Sequence, residues 1–121
     1  MKKQILVTGG GGFIGIHLIK KLIDNGYFPI IVDNLSNANV DILKKFPKNS
    51  FTLIQADIND INKIMHETAR YNPEFLIHLA AVHYIPFCLE NPQETWRVNV
   101  KGTESMLKIS MEKKIKKFIF S

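Results

Sequence analysis

The stretch Thr8-Gly9-Gly10-Gly11-Gly12-Phe13-Ile14-Gly15 is equipped to bind with its backbone rather than its side chains. Glycine has no Cβ, so the chain can turn tightly and a ligand can come against the main chain. The run from Ile14 to Asn25 reads as a helix. A helix starting here offers free N–H groups at its positive end, which suits the oxygens of a nucleotide diphosphate. Asp33 follows about twenty residues after the turn, where an acidic side chain can accept hydrogen bonds from both hydroxyls of an adenosine ribose. The same carboxylate repels a 2′-phosphate, and no arginine follows it, so the pattern favours NAD over NADP. The plainer reading of Asp33 is a loop cap. Gly10 and Gly15 also have the glycine spacing of an ATP or GTP phosphate loop, but Ile16-His17 stands where Lys-Ser/Thr is needed. The missing phosphate lysine and magnesium hydroxyl argue against such chemistry.

The elements that must position these groups alternate strand and helix. Ile5–Val7 is a short, fully apolar run, as expected of a strand buried on both faces. Ile14, Leu18 and Leu22, flanked by Ile19 and Ile23, form one helix face, and Gly26 stands at the C-cap position. Residues 29–33, 51–55, 74–79 and 117–121 read as four further strands. A short helix is expected over Val40–Phe46, and another after Asp60 as N-cap, where Ile61, Ile64, Met65 and Thr68 recur at helical spacing. Asn91, Pro92 and Glu94 form a capping-box pattern for a helix running to about Lys113. Five strands alternating with helices predict right-handed crossovers and a doubly wound α/β fold, a parallel sheet ordered 3-2-1-4-5.

Composition bounds the rest. The 121 residues are 45% hydrophobic and 22% charged, which is ordinary for one globular domain. No apolar run reaches membrane-spanning length, and the N-terminus lacks a signal-peptide core. The single cysteine, Cys88, cannot form an internal disulfide, and a reducing cytoplasm is expected. Net charge +5 comes mostly from lysine. The cluster Lys113-Lys114-Ile115-Lys116-Lys117 is read as a solvated helix end, not as a nucleic-acid surface, for want of an aromatic platform. His78, His83 and Cys88 fit no common metal spacing, so no metal is expected. His78 reads as a hydrogen-bonded histidine at a strand end, and Tyr84 and Phe87 as packing residues.

The sequence resembles the N-terminal part of an extended short-chain dehydrogenase/reductase, the group of NAD-dependent nucleotide-sugar epimerases and dehydratases. The matching segments are Thr8-Gly9-x-x-Gly12-Phe13-Ile14-Gly15, Val32-Asp33-Asn34-Leu35-Ser36, Asp57-Ile58, His78-Leu79-Ala80-Ala81, Glu90-Asn91-Pro92, Asn99-Val100-x-Gly102-Thr103 and Phe118-Ile119-Phe120-Ser121. The resemblance implies a Rossmann-type domain over 1–121 with NAD as cofactor. It also implies roles. Gly9, Gly12, Phe13 and Ile14 would meet the pyrophosphate through backbone groups. Asp33 and Asn34, with Ser36 nearby, would hold the adenosine ribose. Asp57 and Ile58 would lie against adenine, and Leu79, Ala80 and Ala81 would line the path to the nicotinamide ribose. Asn99 would hold the neighbouring loop and helix in register. Cys88 falls where many relatives carry a serine near the sugar-nucleotide pocket.

The chemistry of that family depends on a tyrosine four residues before a lysine, the lysine and the nicotinamide lowering the tyrosine pKa. Here Tyr27 is followed at that distance by Ile31, Tyr71 by Phe75 and Tyr84 by Cys88. No catalytic residue is therefore assigned, and the substrate domain is expected to be absent. Three functions compete: the NAD-binding portion of a nucleotide-sugar epimerase or dehydratase, inactive alone; a standalone non-catalytic NAD-binding sensor or regulatory module; and a degenerate fragment. An exposed fifth strand predicts a marginally stable or self-associating domain, so a homo-oligomer stays open. A nucleotide sugar would be a partner only of a full-length form.

Overall fold

The apolar run expected of a central strand does lie at the centre. In the computed structural model, which describes residues 1–121, β1 (Lys3–Thr8) is flanked on one side by β2 (Tyr27–Asp33) and on the other by β4 (Phe75–His78). β3 (Thr52–Gln55) extends the sheet beyond β2, and β5 (Lys117–Phe120) beyond β4. All pairings are parallel, in the order β3-β2-β1-β4-β5. Side chains alternate across a strand, so β1 sends Ile5 and Val7 to one face and Leu6 to the other. Ile5 and Val7 pack with Ile16 and Ile19 of α1 (Phe13–Asp24) and with Leu43 of α2 (Val40–Leu43). Leu6 packs with Ile64 of α3 (Ile61–Glu67) and with Met106 and Ile109 of α6 (Gly102–Glu112).

Local signals explain most boundaries. α1 stops at Asp24 because Gly26 takes a left-handed φ of +83°. The Asp60 side chain accepts from Lys63 N–H and starts α3. β2 begins two residues earlier than its apolar run suggests, since Tyr27 pairs with Lys3. Pro29 loses nothing inside it: β3 begins opposite Ile30, so no donor is needed at that point on the outer side.

The region after β4 departs from expectation. A helix not foreseen, α4 (Ile85–Glu90), precedes α5 (Pro92–Trp96), and Asn91 belongs to both ends. Its side chain donates back to Phe87 O at 3.1 Å instead of capping α5, and Glu94 is taken by Arg97, so the capping box does not form. Tyr84 is exposed and does not pack. The helical run from Pro92 does reach Glu112, but through a π-helical segment at Arg97–Lys101.

The lysine run is not simply a solvated end. Lys113 Nζ donates to Thr68 O at 2.9 Å, completing the C-terminus of α3 rather than of its own helix, and Lys116 faces Glu74 at 3.8 Å. β5 is an edge strand with Ile119 and Phe120 exposed. No helix is long and apolar enough to cross a membrane.

Candidate functional site

The glycine turn joins the carboxyl end of β1 to α1, beside the point where strand order reverses between β1 and β4. Ligands of open parallel sheets bind in such a crevice. Gly9 has φ +69°, and a Cβ on it would stand 2.8 Å from Ala80 N. A Cβ on Gly15 would strike the Gly9 carbonyl, and one on Gly11 would come within 2.6 Å of Ala38 Cβ. These glycines are required by the protein's own packing. Gly12 is different: the nearest atom to its Cβ would be Gly9 O at 3.4 Å, so the space before it is open. Gly12 is also the N-cap of α1 and brings no side-chain cap, and the first turn holds no acid. The N–H groups of Phe13, Ile14 and Gly15 donate to nothing within the chain. Three uncapped donors at a helix start, with open space beside Gly12, suit a diphosphate.

Asp33 closes one side of the turn. Its Oδ2 accepts from Gly11 N–H at 2.9 Å and its Oδ1 from Leu35 N–H at 2.8 Å. The loop-cap reading of Asp33 is thus realised, and it is what places the carboxylate at the turn. Each oxygen keeps a second lone pair for a hydroxyl donor. Asn34 Oδ1 accepts from both the N–H and the hydroxyl of Ser36, which fixes the adjoining loop. Asp33 O also accepts from Ala56 N–H at 3.1 Å, carrying the rim on to Asp57.

Asp57 is held by a residue that sequence reasoning missed. Arg97 Nη1 donates to its Oδ1 at 3.1 Å and Arg97 Nη2 lies 2.9 Å from its Oδ2, while Asn59 N–H donates to Oδ1. The guanidinium holds the Asp57 carboxyl below the usual carboxylate range, more than offsetting burial. Glu94 grips the other side of Arg97 through Nε and Nη2, at 2.9 and 2.7 Å. Ile58 does not present its side chain to the rim; it is buried and its Cδ1 lies where a Cβ on Gly102 would be. Only its backbone remains for a ligand.

The wall opposite is the segment Leu79-Ala80-Ala81-Val82. Thr8 Oγ1 accepts from the N–H groups of Leu79 and Ala80, both at 3.1 Å. Asn99 sits in the π-helical turn and pairs with Val82 in both senses, accepting from its N–H at 2.7 Å and donating to its carbonyl at 2.8 Å. Widened turns of this kind recur at functional sites because they re-aim side chains. His78 lies beneath the wall, 1% exposed, between Thr8 and Thr103. Burial alone pushes its pKa down to about 4. Cys88 Sγ contacts Val82 O at 3.6 Å.

Of the predicted residues, Ala80, Gly9, Asp33 and Asp57 follow one rim, linked through Gly11 and Ala56, while the Ile58 side chain turns into the core. Residues 5–121 match the model of the NAD dependent epimerase/dehydratase family. The chain belongs to that family. A putative UDP-glucose 4-epimerase from Methanocaldococcus jannaschii is 40% identical over 119 residues, covering 98% of this chain and 37% of the relative. Among solved structures, the UDP-glucose 4-epimerase of Thermotoga maritima with UDP-glucose superposes with a TM-score of 0.87 at 36% identity, over 97% of this chain and 37% of that one. The Brucella ovis UDP-glucose 4-epimerase in complex with NAD gives 0.86 at 33% identity, over 98% and 35%. The chain thus spans little more than a third of the length of these family members.

Proposed function

We propose that this chain is the NAD-binding portion of a nucleotide-sugar epimerase or dehydratase. The observation that carries the reading is the start of α1: three backbone donors without acceptors, an open face at Gly12, and the Asp33 carboxylate 2.9 Å from Gly11 N. Gly9, Gly12, Phe13 and Ile14 hold the pyrophosphate by their backbone. Asp33, with Asn34 and Ser36 bracing its loop, takes the adenosine ribose hydroxyls and disfavours a 2′-phosphate. Asp57, aimed by Arg97, and the Ile58 backbone face adenine. Leu79, Ala80 and Ala81 leave room for the nicotinamide ribose, and Asn99 keeps their segment against the helix.

Bound nicotinamide would supply a reversible hydride acceptor. This chain's own residues bind and orient it, and no tyrosine within it stands four residues before a lysine, so the chain by itself turns over no sugar nucleotide. Calorimetric titration with NAD and NADP tests the reading. Saturable NAD binding, with NADP at least about tenfold weaker (~1.4 kcal/mol), is expected. A folded chain that takes up neither dinucleotide refutes it.

A further inference from the structure

His78 and Thr103 are interior polar residues that the roles above leave unused. Their hydrogen bonds allow only one assignment of protons. Thr103 Oγ1 donates to Asn99 O at 2.7 Å, so toward His78 Nε2, 3.1 Å away, it can only accept. Nε2 must carry the ring proton. Thr8 Oγ1 already accepts from two N–H groups, so its own hydrogen points at His78 Nδ1, 2.6 Å away. Nδ1 must be bare. A ring protonated on Nδ1 would oppose its hydrogen to that of Thr8 and leave Thr103 without a donor.

This makes a directional chain of bonds with His78 in its middle. On one side it runs through Thr8 Oγ1 to the N–H groups of Leu79 and Ala80, Leu79 N–H also donating to the Thr8 carbonyl. On the other it runs through Thr103 to the backbone carbonyl of Asn99, whose side-chain amide separately holds both backbone groups of Val82. The imidazole thus sits between the two supports, Thr8 and the Asn99–Thr103 turn, that fasten the ends of the segment Leu79–Val82. Its neighbours on the sheet side are the Phe118 and Phe120 rings, which offer it no other polar partner.

We propose that His78 is a positioning residue: as a neutral ring protonated on Nε2, it holds Leu79–Val82 against the glycine turn and so sets the geometry of the dinucleotide site without touching the ligand. The inference rests on reading that site as a dinucleotide site. A histidine that merely filled core volume would be indifferent to its tautomer and to the Thr103 hydroxyl.

The test uses the 121-residue chain with ¹⁵N-labelled histidine, as wild type, Thr103→Val and Thr103→Ser, each checked for retained circular dichroism. Ring nitrogen shifts, amide exchange at Leu79 and Ala80, and NAD affinity are measured on all three. The wild type is expected to show a protonated Nε2 and a bare Nδ1. Thr103→Val leaves Nε2–H without an acceptor, while Thr8 still keeps Nδ1 bare. It is expected to shift the Nε2 resonance with the tautomer unchanged, to exchange Leu79 and Ala80 amides faster, and to bind NAD about tenfold more weakly, the worth of one internal hydrogen bond. Thr103→Ser restores all three. A wild-type ring protonated on Nδ1 overturns the proposal, as does a Thr103→Val protein that binds NAD and protects the Leu79 and Ala80 amides like wild type. If the wild type binds no NAD, the functional reading fails separately, and the tautomer and amide exchange still decide whether His78 holds the segment.

Discussion

Mild acid should destabilise this chain through His78 before it does so through the carboxylates. The folded ring titrates at about 4 because burial disfavours its charge, against an ordinary 6.5. The folded value is the lower one, so the stabilisation is complete above 6.5 and is lost as pH falls toward 4. The full loss, ~2.5 pKa units at 1.36 kcal/mol each, is about 3 kcal/mol, and about 2 kcal/mol of it has gone by pH 5. That is a large share of the 5–15 kcal/mol typical of a domain, roughly speaking. Urea unfolding of wild type and His78→Gln from pH 7.5 to 5 measures it. Glutamine offers a donor and an acceptor but takes up no proton. The exposed His17, His66 and His83 are common to both proteins and cancel in the difference. Asp57, held low by Arg97, gives up its contribution below this window. Wild type should lose about 2 kcal/mol across the window; the variant should start lower and lose less than half as much. Parallel curves, or a flat wild-type curve, refute the reasoning.

Two glycines three residues apart should fail differently. Gly15→Ala drives a Cβ into the Gly9 carbonyl and should cost about 1–3 kcal/mol in a thermal melt. Gly12→Ala, with φ −76° and its nearest neighbour 3.4 Å away, should melt close to wild type yet lose NAD binding in a titration. Arg97→Met should return the Asp57 carboxyl toward its ordinary range, read by carbon NMR titration. The pair is more than a third exposed, so the stability cost should be about 1 kcal/mol at most and shrink with salt. Asn99→Leu strands the N–H and carbonyl of Val82 and should cost about 1–3 kcal/mol, with faster amide exchange at Val82 as the local readout.

What the sequence disclosed was whatever depends on near neighbours. The strand around Ile5–Val7, the cap at Asp60 and the glycine turn follow from periodicity and turn chemistry within a few residues, and the strand order from the rules for crossovers in parallel sheets. The pair Asp33 and Gly11 was recoverable from a spacing of 22 residues because a single crossover unit fixes it. Thr8 with His78, and Arg97 with Asp57, stand 70 and 40 residues apart and leave no local pattern. Asn91 misled for an opposite reason. Its type and spacing suited a cap, but a preceding helix had already claimed its side chain. The π-helical turn at Arg97–Lys101 was invisible because it shifts helical phase without changing composition, and with it went the roles of Arg97 and Thr103.

The strand order also has a consequence in time. β1 meets β2 across 24 residues, Lys3 to Tyr27, but meets β4 across 70, Ile5 to Phe75. Loop-closure entropy makes the second encounter about 1 kcal/mol dearer before any contact rewards it. Non-local pairings of this kind set folding rates. The order expected is therefore β1 with β2 early and β4 late, and pulse-labelled hydrogen exchange that protects β4 ahead of β2 would overturn it. On that order the seam between Gly9 and Ala80 is among the last parts of the molecule to exist, so a newly made chain is ordered around α1 well before it can hold a dinucleotide.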